Sequence, residues 1–141
     1  MKYKKFLCTI VIVLSFLSNS LAAQTNLPTP YEKGNGNQTV TYEEMVQYYD
    51  ELDQNFESIT VQNFGKDDNG EPLKVVVFDD SKNKNTPVIL INNGIHPGEP
   101  DGIDATMMLM RDLATGKVSA KNLKIAAIQS YNISGMLRRG K

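Results

Sequence analysis

The hydrophobic positions of the chain change period from block to block, and each change marks an element. Met45, Tyr48, Tyr49 and Leu52 recur at the i, i+3, i+4, i+7 spacing of one helix face. Thr41 and Glu44 stand just before them as a hydroxyl at the N-cap and a carboxylate at N3, the pattern of a capping box. The helix is expected to end near Asn55. Ile59 to Gly65 reads as a strand, and Leu73 to Phe78 as a second. The second is β-branched and almost wholly apolar, which predicts burial on both faces or nearly so. Asn69-Gly70, inside the polar run from Lys66 to Pro72, is a strong hairpin-turn signal, so the two strands are expected to pair.

After a polar connection from Asp79 to Thr86, Val88 to Ile91 reads as a third strand. It is apolar without alternation, which favours a central position in a covered sheet. Pro100 to Ala114 has the helical period again, with Ile103, Met107, Met110 and Ala114 on one stripe and Leu109 and Leu113 beside it. Proline suits the first turn, Asp101 and Asp104 lie toward the positive end of the helix dipole, and Gly116 is placed to cap the far end. The methionines are read as core filler. Leu123 to Ile128 is a fourth strand, expected in the interior of the sheet yet with one edge left unpaired. A strand–helix–strand unit of this length implies a right-handed parallel crossover. The fold class is therefore α/β: a mixed sheet, antiparallel at the hairpin and parallel beyond it, with helices on its faces.

The first 40 residues follow other rules. Lys2, Lys4 and Lys5 precede an apolar run from Phe6 to Leu17, and small and polar residues follow. That is the composition of a secretory signal peptide, assigned to residues 1–23; the run is too short to span a bilayer, which takes roughly 20 residues. Residues 24–40, with Pro28, Pro30, Gly34 and Gly36, read as an extended linker, and residues 41–141 as the folded part. The chain is then exported, to the periplasm or the extracellular space. The sequence has 141 residues with 15 basic and 16 acidic side chains, a net charge of −1. Nothing in that balance suggests nucleic acid, which favours a basic face. Cys8, the single cysteine, lies in the leader, so the exported part has no disulfide and no thiolate for a metal.

Candidate chemistry concentrates between Pro87 and Gly102. The third strand ends in Asn92-Asn93-Gly94, and His96, the only histidine, follows with Glu99 three residues later. Gly94, Pro97, Gly98 and Pro100 shape the turn that holds them. In open α/β sheets ligands bind beyond the carboxyl ends of the strands, which is where this turn lies. An imidazole nitrogen and a carboxylate oxygen both bind zinc at about 2.0–2.2 Å. The spacing by itself leaves open a surface turn with a solvated carboxylate.

The stretch Asn93-Gly94-Ile95-His96-Pro97-Gly98-Glu99-Pro100-Asp101-Gly102, with the Met-rich helix after it, closely resembles the first zinc motif of the M14 metallocarboxypeptidases, the zinc carboxypeptidases of the carboxypeptidase A kind. Gly65-Lys66 and Gly70-Glu71-Pro72-Leu73 fit the same family, and Asn132-Ile133-Ser134-Gly135 is similar to its Asn-Pro-Asp-Gly segment, with Ile133 and Ser134 replacing Pro and Asp. The resemblance covers roughly residues 40–141. It implies an α/β/α sandwich of which the N-terminal part is present, and hydrolysis of C-terminal peptide bonds by a zinc-activated water. It also implies zinc (Zn2+) held by His96 and Glu99 as two of three protein ligands, and a peptide or amide substrate. Arg138 and Arg139 are candidates for the substrate cleft, with a solvated basic end as the alternative.

The chain departs from the family in having no second histidine and no identified general base, so its catalytic residue is unknown. It is expected to be a truncated form, inactive alone. Two other readings stay open. One is a deacylase or amidase of the aspartoacylase and succinylglutamate desuccinylase type, which shares the His-x-x-Glu after a strand. The other is a non-catalytic exported binding module.

Overall fold

The computed structural model describes residues 27–81 and 83–138. The expected leader and residues 24–26 lie outside them, as does Arg139. The elements are α1 (Pro30–Lys33), α2 (Tyr42–Asn55), β1 (Ile59–Lys66), β2 (Pro72–Phe78), β3 (Val88–Asn92), α3 (Asp101–Ala114), β4 (Lys124–Ile128) and α4 (Ile133–Arg138).

The four strands form one mixed sheet in the order β1-β2-β4-β3. β1 and β2 are an antiparallel hairpin, β2 and β4 are antiparallel, and β3 and β4 are parallel. The capping box of α2 is formed as expected: Thr41 Oγ1 accepts from the Glu44 N–H, and the Glu44 carboxylate accepts from the Thr41 N–H at 2.9 Å. Two positions differ from expectation. The fourth strand has no unpaired edge, because β4 lies between β2 and β3. Among the described residues the third strand, expected to be central, stands at the end of the order, with Val88 61%, Ile89 45% and Leu90 64% exposed. Continuous apolarity marks a strand that suits cover on both sides, but it carries no information on how many neighbours lie beside it.

Strand register shows which face holds the core. Ile59, Val76, Phe78, Ile125 and Ala127 point to one face, consistent with the pairs Ile59↔Phe78, Val76↔Ala127 and Phe78↔Ile125. Met45, Tyr49 and Leu52 of α2 and Met107 and Met110 of α3, each no more than 1% exposed, join them in a single cluster. Both long helices therefore cover the same face. The opposite face, which carries Val77, Ala126, Val88 and Leu90, has no long helix on it among the described residues.

The segment expected as an extended linker is docked on this scaffold from Leu27 onward. Its first part turns through α1, which has its own capping box at Thr29 and Glu32. Arg111 of α3, with its side chain 10% exposed, donates to the Glu32 carboxylate and to the Leu27 carbonyl, and Tyr48 donates to the same carbonyl at 2.9 Å. The bond from Arg111 holds the Glu32 carboxyl below the usual range. Asp104, 5% exposed, accepts from Thr39 Oγ1 at 2.7 Å and from the Val40 N–H at 3.2 Å. Pro and Gly content predicts a chain without regular structure, but two buried polar side chains of α3 supply partners that composition does not reveal.

Candidate metal centre

The parallel strands β3 and β4 end side by side, and their hydrogen bonding continues beyond the strands. The Asn93 N–H donates to the Ile128 carbonyl at 3.3 Å, Tyr131 N–H to Asn93 O at 2.8 Å, and Asn132 N–H to Gly94 O at 2.9 Å. The loops after β3 and β4 are thereby laced together at the carboxyl end of the sheet. The Asn93 side chain is buried and donates to Thr106 Oγ1 of α3 at 3.1 Å. Gly102 makes room for it, since a Cβ there would lie 3.0 Å from Asn93 Oδ1. At Gly94, with φ of 58°, a Cβ would meet Ser130 Oγ at 3.0 Å and Ile103 Cδ1 at 3.2 Å, so both conformation and space call for glycine.

The chain then turns through His96, Pro97, Gly98 and Glu99 before α3 begins. Gly135 of α4 backs this turn closely: a Cβ on it would lie 2.7 Å from Pro97 Cγ. The turn brings the two sequence-predicted residues together. His96 Nδ1 lies 3.2 Å from Glu99 Oε1 and 3.1 Å from Oε2. Both side chains are open to solvent, 66% and 62% exposed. They border a cleft of about 230 Å³ whose other walls include Thr39, Val40, Ser130 and Met136.

The zinc carboxypeptidase family, Peptidase M14, matches residues 45–133. The chain belongs to this family. Its fold is similar to that of bovine thrombin-activatable fibrinolysis inhibitor, whose structure was solved in complex with tick carboxypeptidase inhibitor. The TM-score is 0.65 at 16% identity, covering 74% of this chain and 34% of that one. It is also similar to the carboxypeptidase A of Helicoverpa armigera, with TM-score 0.65, 21% identity, and coverage of 72% and 26%. The metallo-carboxypeptidase of Burkholderia cenocepacia is a third, with TM-score 0.60, 16% identity, and coverage of 72% and 29%. The chain thus spans about a third or less of the length of these structures. No curated protein matches it.

Within this family member the His96–Glu99 pair fits a metal in its donor chemistry and its separation. Nδ1 faces both carboxylate oxygens, and atoms 3.1–3.2 Å apart can both touch one ion at about 2.1 Å. The same separation serves a hydrogen bond when Nδ1 carries a proton. The set is incomplete, because the described residues contain no group of three or more His, Cys, Asp or Glu side chains able to hold a metal.

Arg138 is the last residue of α4, exposed, and does not line the cleft. The family match ends at Ile133, before both arginines.

Three features of the cleft go beyond the roles read from the sequence. Thr39 and Val40 come from the segment read as linker. Asn132 caps α4, its Oδ1 accepting from the Gly135 N–H at 2.8 Å. Ser130 is 3% exposed and its hydroxyl has no protein partner. The Asn-x-x-Gly spacing held the signal for Asn132. Nothing in the sequence sets Ser130 apart from any other serine.

Proposed function

We propose that His96 and Glu99 are two ligands of the catalytic zinc of a metallocarboxypeptidase, the parent activity being hydrolysis of C-terminal peptide bonds. One observation carries this reading: His96 Nδ1 and the Glu99 carboxylate converge at 3.1–3.2 Å inside the family-matched segment, at the carboxyl end of a parallel strand. Zinc held there would supply a Lewis acid for the scissile carbonyl and lower the pKa of its water to about 7. His96 and Glu99 hold the ion, and the laced loops after β3 and β4 fix both side chains with respect to the sheet. The cleft beside them accepts the peptide, and Thr39, Val40 and Met136 shield one side of it from water. Export fits this role but is carried only by the composition of residues 1–23.

Catalytic zinc sites use three protein ligands and an open position. The sequence holds one histidine, and no general base is assigned among its residues. The chain by itself is therefore proposed to bind zinc weakly and not to turn over peptides. The test compares this chain with variants His96→Ala and Glu99→Gln, reading zinc stoichiometry by equilibrium dialysis and hydrolysis of a C-terminally blocked and an unblocked peptide. Zinc retained equally by both variants would contradict the assignment.

A further inference from the structure

The turn between β1 and β2 lies at the same end of the sheet as His96. β2 runs antiparallel to β4, so the turn that begins β2 stands beside the loop that leaves β4. Asp67 organises that turn and also reaches out of it. Its Oδ1 accepts from the Asn69 and Glu71 N–H groups, both at 2.9 Å. Its Oδ2 accepts from Ser134 Oγ of α4 at 2.6 Å, across 67 positions of the chain, and Asn69 Nδ2 donates to the same hydroxyl. The bond from Ser134 is the largest of the causes that hold the Asp67 carboxyl below the usual range.

α4 has six residues, too few to be stable without contacts to the rest of the protein. Successive residues define its seat. Ile133 is 1% exposed and anchors the helix in the protein interior. Ser134 is tied to the hairpin turn. Gly135 faces the His96 turn, where an added Cβ would lie 2.7 Å from Pro97 Cγ. Neighbouring residues of a helix point about 100° apart, so fixing Ser134 fixes the face that Gly135 presents. Pro97 follows His96 directly, and its ring locks its own φ at about −65°. A contact on that ring is therefore a contact on the backbone that carries His96.

We infer that Asp67 and Ser134 are positioning residues for the proposed metal centre. Their bond sets the rotation of α4, and α4 seats the Pro97 side of the turn in which His96 meets Glu99. Both act through Gly135 and Pro97. The functional meaning rests on His96 and Glu99 being zinc ligands; the positional effect on His96 does not. A bond that only held α4 down would add stability without reaching His96, and the two cases separate by experiment.

The experiment reads the His96 imidazole by proton–nitrogen NMR in the untagged full chain, beside Ser134→Ala, Ser134→Thr and Asp50→Ala. His96 is the only histidine, so its ring signals need no assignment. Ser134→Ala removes both hydroxyl bonds, leaves the Asp67 turn intact and puts a better helix former in α4, so the fold should persist. Asp50→Ala loses an ion pair to Lys74 and reports the loss of a surface bond alone. Ser134→Ala is expected to move the His96 ring signals and to weaken Zn2+ binding about tenfold in dialysis, the low end for residues that support a metal site. Ser134→Thr keeps the hydroxyl and should restore both, while Asp50→Ala should change neither. In a chain already carrying Asp67→Ala, adding Ser134→Ala should have little further effect. Ring signals unmoved by Ser134→Ala would overturn the inference, as would a shift that Ser134→Thr fails to restore or that Asp50→Ala reproduces. An unmodified chain that binds Zn2+ no better than His96→Ala would contradict the zinc assignment instead, and the ring signals would still decide the role of Asp67 and Ser134.

Discussion

At the scale of the residue, the site rests on glycines and one buried amide as much as on its two donors, His96 and Glu99. Gly94 has φ of 58°, and a Cβ added there would come within 3.0 Å of Ser130 Oγ. Gly94→Ala should cost at least about 1 kcal/mol of stability, and it should shift the His96 turn. The urea midpoint checks the first effect and zinc affinity the second. Asn93 is visible in the sequence as the start of the family-like stretch, but its bond to Thr106, 13 positions along the chain, is not visible there. The His96–Glu99 pair is legible because its two members lie in one short turn, where spacing alone sets distance. Ser130 is not, since its place on the cleft wall depends on β4 lying beside β3.

At the scale of the element, the local signals are fully readable. The Thr41 and Glu44 cap, the Asn69-Gly70 hairpin and the periodic face of α3 all depend on neighbours within a few positions. Contacts between distant single polar residues are not readable. By position Asp104 is a dipole partner at the start of α3, yet it holds Thr39 and Val40 across 65 and 64 positions. Asp104→Ala leaves the Val40 N–H without its partner in a buried place and should cost about 1–3 kcal/mol by urea unfolding. It should also open the cleft wall formed by Thr39 and Val40, which hydrogen exchange at Val40 would register.

A second prediction belongs to the joint between β2 and β4. Lys124 Nζ lies 2.7 Å from Asp79 Oδ2, and that bond, with one from Ser81, holds the Asp79 carboxyl down at about 2. A carboxyl depressed in the folded state stabilises above its unfolded value of about 3.9 and loses that contribution as pH falls through about 2. Asp79→Asn should therefore be less stable than the unmodified chain at pH 7. The gap should narrow from about pH 4 downward and close near pH 2, as read from urea midpoints across that range. A gap independent of pH would mean that packing at this joint, not charge, is what the substitution removes.

At the scale of the whole molecule, the sheet order is the largest departure from expectation. Periodicity identifies four strands and their type, but the order β1-β2-β4-β3 is decided by non-local pairing, which hydrophobic pattern does not encode. Among the described residues, both long helices of this zinc carboxypeptidase family member cover one face of the sheet, and β3 stands at the end of the strand order. The described residues include no helix long and apolar enough to cross a membrane. The proposed metal centre lies in the turn after β3.

The most direct test of the central claim is a zinc titration of the full chain beside His96→Ala and Glu99→Gln. Loss of supporting residues around a metal site already costs about 10–100-fold in affinity, so loss of a ligand should cost at least as much. The expected result is one weakly held zinc per chain, lost in both variants while their folds stay intact by circular dichroism. Zinc bound with the same affinity by all three proteins would contradict the account.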